Sequence, residues 1–270
     1  MKKIYLFLAF TFCAFTLSAH TVQNDTTRSR WKNITDYTKG ILRSAAAGIE
    51  YRVKAGIALG GTAPIPIPLE IQEINNFNPL VNSSLEVEFM KTISDDGGLS
   101  IGLRLESKGM ETNASVKNYN MKMVSDDGGE IAGVWTGMVN TRVSLTYLTL
   151  PILAVWKPSQ RWDIKLGPYM SYRLYGTFSG SAYDGYLRVG SPIGEKREFR
   201  DDKEAIYNFS EDLRRMNFGV QLGADWRAFT HLLVGLDLTW GFNSILKKDF
   251  DVITFKMYPI FLRLNFAYSF

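Results

Sequence analysis

The sequence predicts an all-β protein, a transmembrane antiparallel up-and-down β-barrel of eight strands, with ten strands as the alternative. Three observations support this prediction. In the last strand-length segment, Met257–Phe270, apolar or aromatic residues alternate with small or polar ones. The same alternation recurs in several earlier segments, and the connections between those segments are alternately short and long. A period of two is the pattern of a β-strand that has one apolar face.

The chain begins with a predicted export signal. Met1–Lys3 precedes the apolar run Ile4–Leu17 and the small residues Ser18-Ala19, so residues 1–19 resemble a secretory signal peptide. The single cysteine, Cys13, lies inside it, so no disulfide is expected in the mature chain. Loss of its two lysines changes the Lys+Arg count from 31 to 29, against 27 Asp+Glu. This near-neutral balance does not favour nucleic acid as a partner.

Residues 20–46 are predicted to be an N-terminal periplasmic segment that contains a short helix. Trp31, Ile34, Ile41 and Leu42 fall on one face at helical spacing. Such a helix would lie against the rim of the barrel or the membrane. A plug inserted into the lumen is the alternative.

Residues 47–270 form the predicted outer-membrane β-barrel domain. Clear alternation begins near the following residues: Ile49, Leu85, Leu99, Trp162, Met216, Leu232 and Tyr258. The segment 141–156 is less regular, because Val143 and Leu145 are out of step with Leu148, and a bulge near Tyr147 would reconcile its two halves.

A secreted soluble β-sandwich or a lipocalin-like barrel would also alternate. Two features favour a membrane barrel instead. The polar positions are mostly charged or glycine, and aromatic residues such as Trp162, Trp226 and Trp240 lie near the ends of the apolar rows. Aromatic girdles at the two membrane interfaces have this placement.

The connections predict the orientation. Residues 95–98, 157–160 and 229–231 are short turns, whereas 179–214 and 244–255 are long. Outer-membrane barrels have short periplasmic turns and long outer loops, so both termini are expected in the periplasm of a Gram-negative cell envelope.

One repeat leaves the strand count open. Asp95-Asp96-Gly97-Gly98 recurs as Asp126-Asp127-Gly128-Gly129, and Asp-Gly sequences favour tight hairpin turns. Ten strands would result if both turns were periplasmic. Eight result if 98–124 and 129–156 form a single long hairpin with its tip near Asp126, which we prefer.

The chain resembles the PorT-like outer-membrane β-barrel proteins. The resemblance rests on Tyr147–Leu153 before a Lys-Pro turn, on Leu166–Tyr172, on Lys108–Met110, on Phe218–Asp225 and on the closing strand. It covers roughly residues 47–270 and implies an outer-membrane barrel. The namesake takes part in protein secretion to the cell surface, so the resemblance also implies an accessory role in such a pathway.

The inward faces of the predicted strands carry many charges of both signs. An eight-stranded barrel is so narrow that side chains fill it, and unpaired charges there are costly. We therefore expect a closed lumen that is crossed by ion pairs, and a water-filled pore for small solutes is the alternative. The predicted lumen charges are Glu50, Arg52, Lys54, Glu86, Glu88, Arg104, Glu106, Asp163, Lys165, Arg173, Asp225, Arg227, Asp237 and Arg263.

The closing strand carries a predicted insertion signal. Barrels of this kind end in Phe with aromatic residues two and four positions earlier, and Phe266, Tyr268 and Phe270 fit that pattern. Tyr258 lies on the same face of the strand and is included in the predicted signal. The expected partners are outer-membrane lipid and, during insertion, the barrel-assembly machinery.

No enzymatic activity, cofactor or metal site is predicted. The two histidines are His20, beside the cleavage site, and His231, in a short turn, and neither can serve an outward catalytic triad. Outward loops are the expected functional surface, for a surface protein or a glycan. The candidate binding residues are Tyr183, Tyr186, Arg188, Arg197, Phe199 and Tyr207.

Overall fold

The computed structural model describes residues 48–124, 130–199, 204–250, 252 and 255–270. Three predictions lie outside this part of the chain, namely the signal peptide 1–19, the helix within 20–46 and the hairpin tip near Asp126.

The described residues form eleven β-strands, all paired in antiparallel fashion, and one short 3-10 helix, Ser210–Asp212. The strands are β1 (Ile49–Pro64), β2 (Ile71–Asn78), β3 (Asn82–Ser94), β4 (Gly97–Val124), β5 (Glu130–Ser159), β6 (Trp162–Val189), β7 (Lys196–Phe199), β8 (Ala205–Asn208), β9 (Met216–Arg227), β10 (Leu232–Gly241) and β11 (Met257–Ser269). The prediction of an all-β antiparallel fold is confirmed. None of the helices in this part of the chain has the length and apolar character needed to cross a membrane.

Eight of these strands pair in a ring. The order is β4, β3, β1, β11, β10, β9, β6 and β5, and β5 pairs again with β4. The first and last strands of the ring in the sequence meet directly, with Val53 opposite Tyr268. The sheet therefore closes on itself, which leaves no free edge over the length that all eight strands share.

The long hairpin is formed by β4 and β5, whose pairing extends from Gly97 opposite Trp156 to Val124 opposite Glu130. β4 and β5 are therefore two long strands of one hairpin, and neither is divided by a turn at the end of the structure where β3 is connected to β4. This is the arrangement that the eight-strand prediction requires.

The structure has two ends with different chemistry. The connections between β3 and β4, β5 and β6, and β9 and β10 are short and share one end, here called the turn end. At the other end β4, β5 and β6 continue past the remaining strands of the ring and carry β2, β7 and β8 on their edges. This second part is here called the extension.

Towards the turn end, apolar side chains point out of the ring and polar ones point in. On β11, for example, Leu264 and Phe266 are exposed whereas Arg263 and Asn265 are buried. The outward aromatic residues form two levels. Trp162, Trp226 and Tyr268 lie at the turn end, and Phe218 and Trp240 lie nearer the extension.

In the extension the interior becomes apolar. On β4 the inward residues Arg104, Glu106 and Lys108 are followed by Met110 and Ala114 with no change of alternation. The buried apolar core includes Trp135, Val139, Phe178, Leu187 and Phe209. A single strand thus lines a charged interior along one half and an apolar interior along the other.

The predicted bulge near Tyr147 lies in the neighbouring strand β6 and not in β5. A register shift does occur there, since Thr146 pairs with Tyr175 and Tyr147 pairs with Arg173. The additional residue, Leu174, lies in β6. Val143 and Leu145 keep the alternation of β5 and point inward, because the interior is apolar at their level.

The predicted long loop 179–214 is largely sheet. Strand β6 continues to Val189, and β7 and β8 both return to pair with it. Most of this segment therefore belongs to the sheet of the extension.

We expect the closing strand to need its outward aromatic side chains for assembly. Replacing Phe270 with Ser removes a side chain that is 72% exposed and packs edge-on against Tyr268 at 4.9 Å. The yield of folded protein in membranes should fall severalfold. Phe229→Ser is the matched control, because Phe229 is also 72% exposed but lies in the turn after β9. Equal yields for the two variants would contradict the insertion role.

Candidate functional site

The interior near the turn end contains a network of ion pairs centred on two carboxylates. Asp225 on β9 accepts from the ammonium groups of Lys54 at 2.9 Å and Lys165 at 2.6 Å. Glu88 on β3 pairs with the same two lysines, at 2.9 Å and 2.6 Å, and accepts from the hydroxyl of Ser100 at 2.5 Å. Each buried charge therefore has several partners of opposite sign or matching polarity, as burial requires.

One ion pair spans the ring. Arg52 on β1 is fully buried, and its Nη2 lies 2.6 Å from the carboxylate of Asp163 on β6. Counting round the ring, four steps separate β1 from β6, so these strands lie opposite each other. Side chains from opposite walls therefore meet in the interior.

A second group of charges lies between this network and the extension. Arg104 binds Glu86 at 2.8 Å and the side-chain oxygen of Gln221 at 2.6 Å. Arg263 binds Asp237 at 2.5 Å and also lies 3.3 Å from Glu86. Here too β3 and β4 are linked to β9, β10 and β11 across the interior.

Inward glycines make room for these side chains. A Cβ atom at Gly102 would lie 2.5 Å from Glu86 Oε1, and one at Gly235 would overlap the carboxylate of Asp225. Gly223 faces Asp237 in the same way. The mixture of charges and glycines on the polar faces is thus one packing arrangement, in which glycine leaves the volume that a long neighbouring side chain fills.

The rim of the turn end holds two predicted charges that are half-buried. Arg227 Nη2 lies 2.7 Å from Glu50, whose carboxylate also accepts from Arg52 at 2.9 Å and from the hydroxyl of Ser269 at 2.5 Å. These contacts join β1, β9 and β11 at the level where the ring closes.

Arg173 is the predicted lumen charge that lies apart from the carboxylates. Its guanidinium donates to the backbone carbonyl oxygens of Leu213 at 3.1 Å and Arg214 at 3.2 Å. Arg173 pairs with the inward residue Tyr147 and thus keeps the alternation that was predicted for it. Its described hydrogen bonds join β6 to the chain segment before β9, and its part in a network of lumen charges stays a prediction.

Sequence reasoning missed Lys108, which lies at the boundary between the charged and apolar interiors. Its ammonium is 3.1 Å from Glu106 and 5.1 to 5.7 Å from the ring centres of Tyr169, Phe261 and Tyr147. A buried cation with one carboxylate is thus also stabilised by aromatic faces. Lys108 follows Arg104 and Glu106 at a spacing of two residues, and this alternation could have predicted that Lys108 points inward.

The extension contains an apolar cavity of about 240 Å³. Its lining includes Val116, Val139, Phe178, Met257 and Ile260. Burial raises the pKa of the nearby phenol of Tyr119 above its usual range, so this side chain remains neutral at any physiological pH. Every residue that lines the cavity is uncharged.

A larger groove of about 820 Å³ lies beside the segment between β10 and β11. Four cations line it, namely Arg214, Lys247, Lys248 and Lys256. Aromatic side chains complete the lining, with Phe218, Phe242, Phe250, Phe255 and Tyr258. This basic groove was also missed, although the pair Lys247-Lys248 is visible in the sequence.

The predicted loop-binding residues have different surroundings. Tyr207 is buried, and its hydroxyl lies 2.6 Å from that of Thr141, while Phe199 packs edge-on against Trp135. The hydroxyl of Tyr183 accepts from Asn113. These three side chains support the extension and are not brought together at its surface.

The remaining three predicted loop residues lie closer to solvent. The ring of Tyr186 lies under the ammonium of Lys196 at 4.6 Å and the guanidinium of Arg188 at 5.7 Å. Arg197 is exposed beside Glu195. The four residues of the predicted insertion signal include three that point outward at the turn end, whereas Tyr258 lines the basic groove.

No metal site is evident among the described residues, where no three His, Cys, Asp or Glu side chains are grouped suitably. His231 stacks on Tyr268 at 5.5 Å, and its Nδ1 lies 2.9 Å from the carbonyl oxygen of Ser269. Its role here is to join the turn after β9 to the end of β11.

Comparison with protein families gives one match. The family model described as "Outer membrane protein beta-barrel domain" matches residues 21–247, which is most of the chain. A search of curated proteins found no match.

Several solved structures match this chain at low sequence identity, among them the following three. The attachment invasion locus protein Ail of Yersinia pestis, solved with the heparin analogue sucrose octasulfate, has 10% identity and a TM-score of 0.37, with 82% of this chain and 99% of that chain covered. Neisserial surface protein A has 10% identity and a TM-score of 0.31, with 83% and 98% covered. OprG of Pseudomonas aeruginosa has 11% identity and a TM-score of 0.26, with 82% and 95% covered. At these scores the likeness carries no functional argument.

We expect the purified protein to show no steady conductance in planar bilayers, because the ion pairs fill the interior. Removing the crossing contacts with Arg52→Ala and Lys165→Ala should produce measurable conductance and lower the free energy of unfolding by about 3–5 kcal/mol per broken pair. The matched control is Arg161→Ala, since Arg161 is an exposed residue of the turn before β6. A stable channel from the unaltered protein would contradict the closed lumen.

Proposed function

Because the chain belongs to the family of outer-membrane β-barrel domains, we propose that it crosses the outer membrane as an eight-stranded barrel with a closed lumen and binds an anionic surface glycan through its extension. The observation that carries this proposal is the set of ion pairs that crosses the interior, above all Arg52 with Asp163. A barrel whose lumen is filled by ion pairs does not transport solutes through it, so its ligands must bind outside that lumen.

The outward face supports a position in the membrane. Its two aromatic levels span about eleven residues on β6, from Trp162 to Tyr172, and about nine on β9, from Phe218 to Trp226. Tilted transmembrane strands of about 9–11 residues span a bilayer. The exposed side chains between these levels include Leu166, Leu222 and Leu264, which suit hydrocarbon.

The orientation follows from the connections. Short connections at the turn end suit the periplasm, and the long strands β4, β5 and β6 suit the cell exterior. Strand β1 starts and β11 finishes at the turn end, where Arg52 pairs with Ser269 in the ladder. We therefore propose that both ends of the barrel domain lie on the periplasmic side.

The basic groove supports an anionic glycan as the ligand. Arg214, Lys247, Lys248 and Lys256 supply positive charge, and the aromatic side chains beside them offer flat faces. Lysine and arginine bind phosphate and sulfate groups through charge-assisted hydrogen bonds, and aromatic faces pack against sugar rings. A surface protein with an acidic patch is the alternative ligand for this groove.

A role beside a secretion apparatus is the second proposal, and it rests on the resemblance to PorT-like proteins. In that case the closed barrel would anchor partner proteins on the periplasmic or outer side. We propose no enzymatic role, since His231 is engaged by Ser269 and Tyr268 at the turn end. The pore alternative is disfavoured by the crossing ion pairs.

We expect a cysteine at Ile193 to react with a membrane-impermeant maleimide on intact cells, because Ile193 is 93% exposed in the turn between β6 and β7. A cysteine at Gln160, in the short turn before β6, should react only after the outer membrane is permeabilised. Labelling of Gln160→Cys alone on intact cells would reverse the proposed orientation.

We expect the protein in detergent micelles to bind immobilised dextran sulfate and to ignore neutral dextran. The combined change Lys247→Gln, Lys248→Gln and Lys256→Gln should weaken binding about tenfold or more, since each tenfold loss needs only about 1.4 kcal/mol. Added salt should weaken it further.

The matched control for this binding is Lys196→Gln with Arg197→Gln, which removes exposed cations from β7. Unchanged affinity in this control assigns the ligand to the basic groove. Loss of binding in the control and retention in the groove variant would instead assign it to the 179–214 segment.

A further inference from the structure

The apolar cavity in the extension is large compared with the voids usually found in protein interiors. Protein interiors are close-packed, and voids wider than a water molecule are few. This cavity has a volume of about 240 Å³ and an uncharged lining. An apolar cavity of about 150 Å³ already takes up a benzene-sized molecule, because water gains too few hydrogen bonds inside it. Its size and chemistry therefore suit an apolar ligand.

The wall of this cavity has a gap in its hydrogen bonding. Beyond Ala58, β1 pairs with β11 on one side, and its pairing with β3 has stopped. Strand β2 pairs with β4. Gly61–Pro64 of β1 and Ile74 and Phe77 of β2 line the same cavity, so side chains close the wall between these two strands.

A specific side chain accompanies this gap. At the first residue of β3, the side chain of Asn82 forms the hydrogen bonds to β4 that a backbone pair would otherwise form. Its Nδ2 donates to the carbonyl oxygen of Gly109 at 3.0 Å, and its Oδ1 accepts from the Gly109 N–H at 2.6 Å. The buried backbone of β4 is thus satisfied at the point where its neighbouring strand changes from β3 to β2.

The gap lies at the level of the aromatic residues nearer the extension. Gly61 is opposite Ile260 on one side of β11, and Trp240 is opposite Ile260 on the other. Phe77 at the edge of the gap is 47% exposed. In the proposed membrane position this level is the outer interface, where the headgroups of lipids meet their chains.

We infer that the cavity binds the hydrocarbon chain of an amphiphile, which enters sideways between β1 and β2 while its polar head stays outside. The lining supplies apolar contacts from Val139, Phe178 and Met257, and the gap lies at the level where a polar head can stay at the interface while its chain turns inward. Sideways entry rests on the proposed membrane position. Occupation of the cavity itself does not, since it depends only on the lining.

The test uses a phospholipid that carries a diazirine at the end of one acyl chain, in vesicles of phosphatidylcholine that contain the inserted protein. After irradiation and proteolysis, mass spectrometry should find label on Phe178 or Val139, which surrounding lipid cannot reach because both are buried. Label confined to outward residues such as Leu222 would overturn the inference.

Two variants narrow the cavity. Ala114→Leu adds volume to its lining. Gly61→Ala places a Cβ atom 2.8 Å from Met110 Sδ and 3.0 Å from Phe77 Cε2, the ends of flexible side chains that can shift. Each should lower interior labelling at least fivefold. Ala132→Leu is the matched control, because Ala132 is exposed on β5 of the extension. Equal labelling in all three variants would contradict binding in the cavity.

A second arm separates the source of the chain and the role of the membrane. The same diazirine on a free fatty acid is added to the protein in detergent micelles. Label inside the cavity in both arms would support a site that accepts the hydrocarbon chain of a phospholipid or of a free fatty acid. Label from the free fatty acid alone would overturn sideways entry from the bilayer. Absence of interior label in both arms would overturn the inference while leaving the proposed membrane position intact.

Discussion

Charges inside a narrow closed sheet must meet partners, because water cannot hydrate them all, and this constraint governs the ring. Arg52 and Lys54 of β1 and Lys165 of β6 converge on Glu88 of β3 and Asp225 of β9. A slip of one residue in any strand would turn its charges towards the apolar exterior and its leucines inward. The same ion pairs that fill the lumen therefore also fix the register of the strands.

In the extension, the same strands surround an apolar interior instead of a charged one. Beyond Lys108 there is no hydrocarbon around the sheet in the proposed position, so stability must come from an apolar interior. Trp135, Phe178 and Phe209 provide it. Lys108 lies where the two interiors meet, with Glu106 on one side and aromatic rings around its ammonium. The molecule thus combines a membrane barrel with a soluble-type core on continuous strands.

Alternation in the sequence was sufficient to predict the all-β antiparallel fold, but it did not predict β2, β7 or β8. It failed where apolar residues point inward, as at Val143 and Leu145, because a period of two identifies two faces without saying which faces the interior. It also could not predict the partners of Arg173, which are main-chain oxygens of Leu213 and Arg214, because these residues are about 40 positions away in the chain. The cavity and the basic groove bring together residues from distant strands, so no local pattern could have predicted them.

The closing contact between β1 and β11 has a consequence for how the chain folds. Glu50 and Ser269 are 219 residues apart, yet their side chains are hydrogen-bonded at the seam of the ring, where β1 meets β11. Contacts between such distant residues require the closure of a large loop. Until the seam closes, Arg52 and Lys54 lack their partner on β9, Asp225, and water must solvate them. Closure of the seam therefore also replaces water around these charges with protein groups.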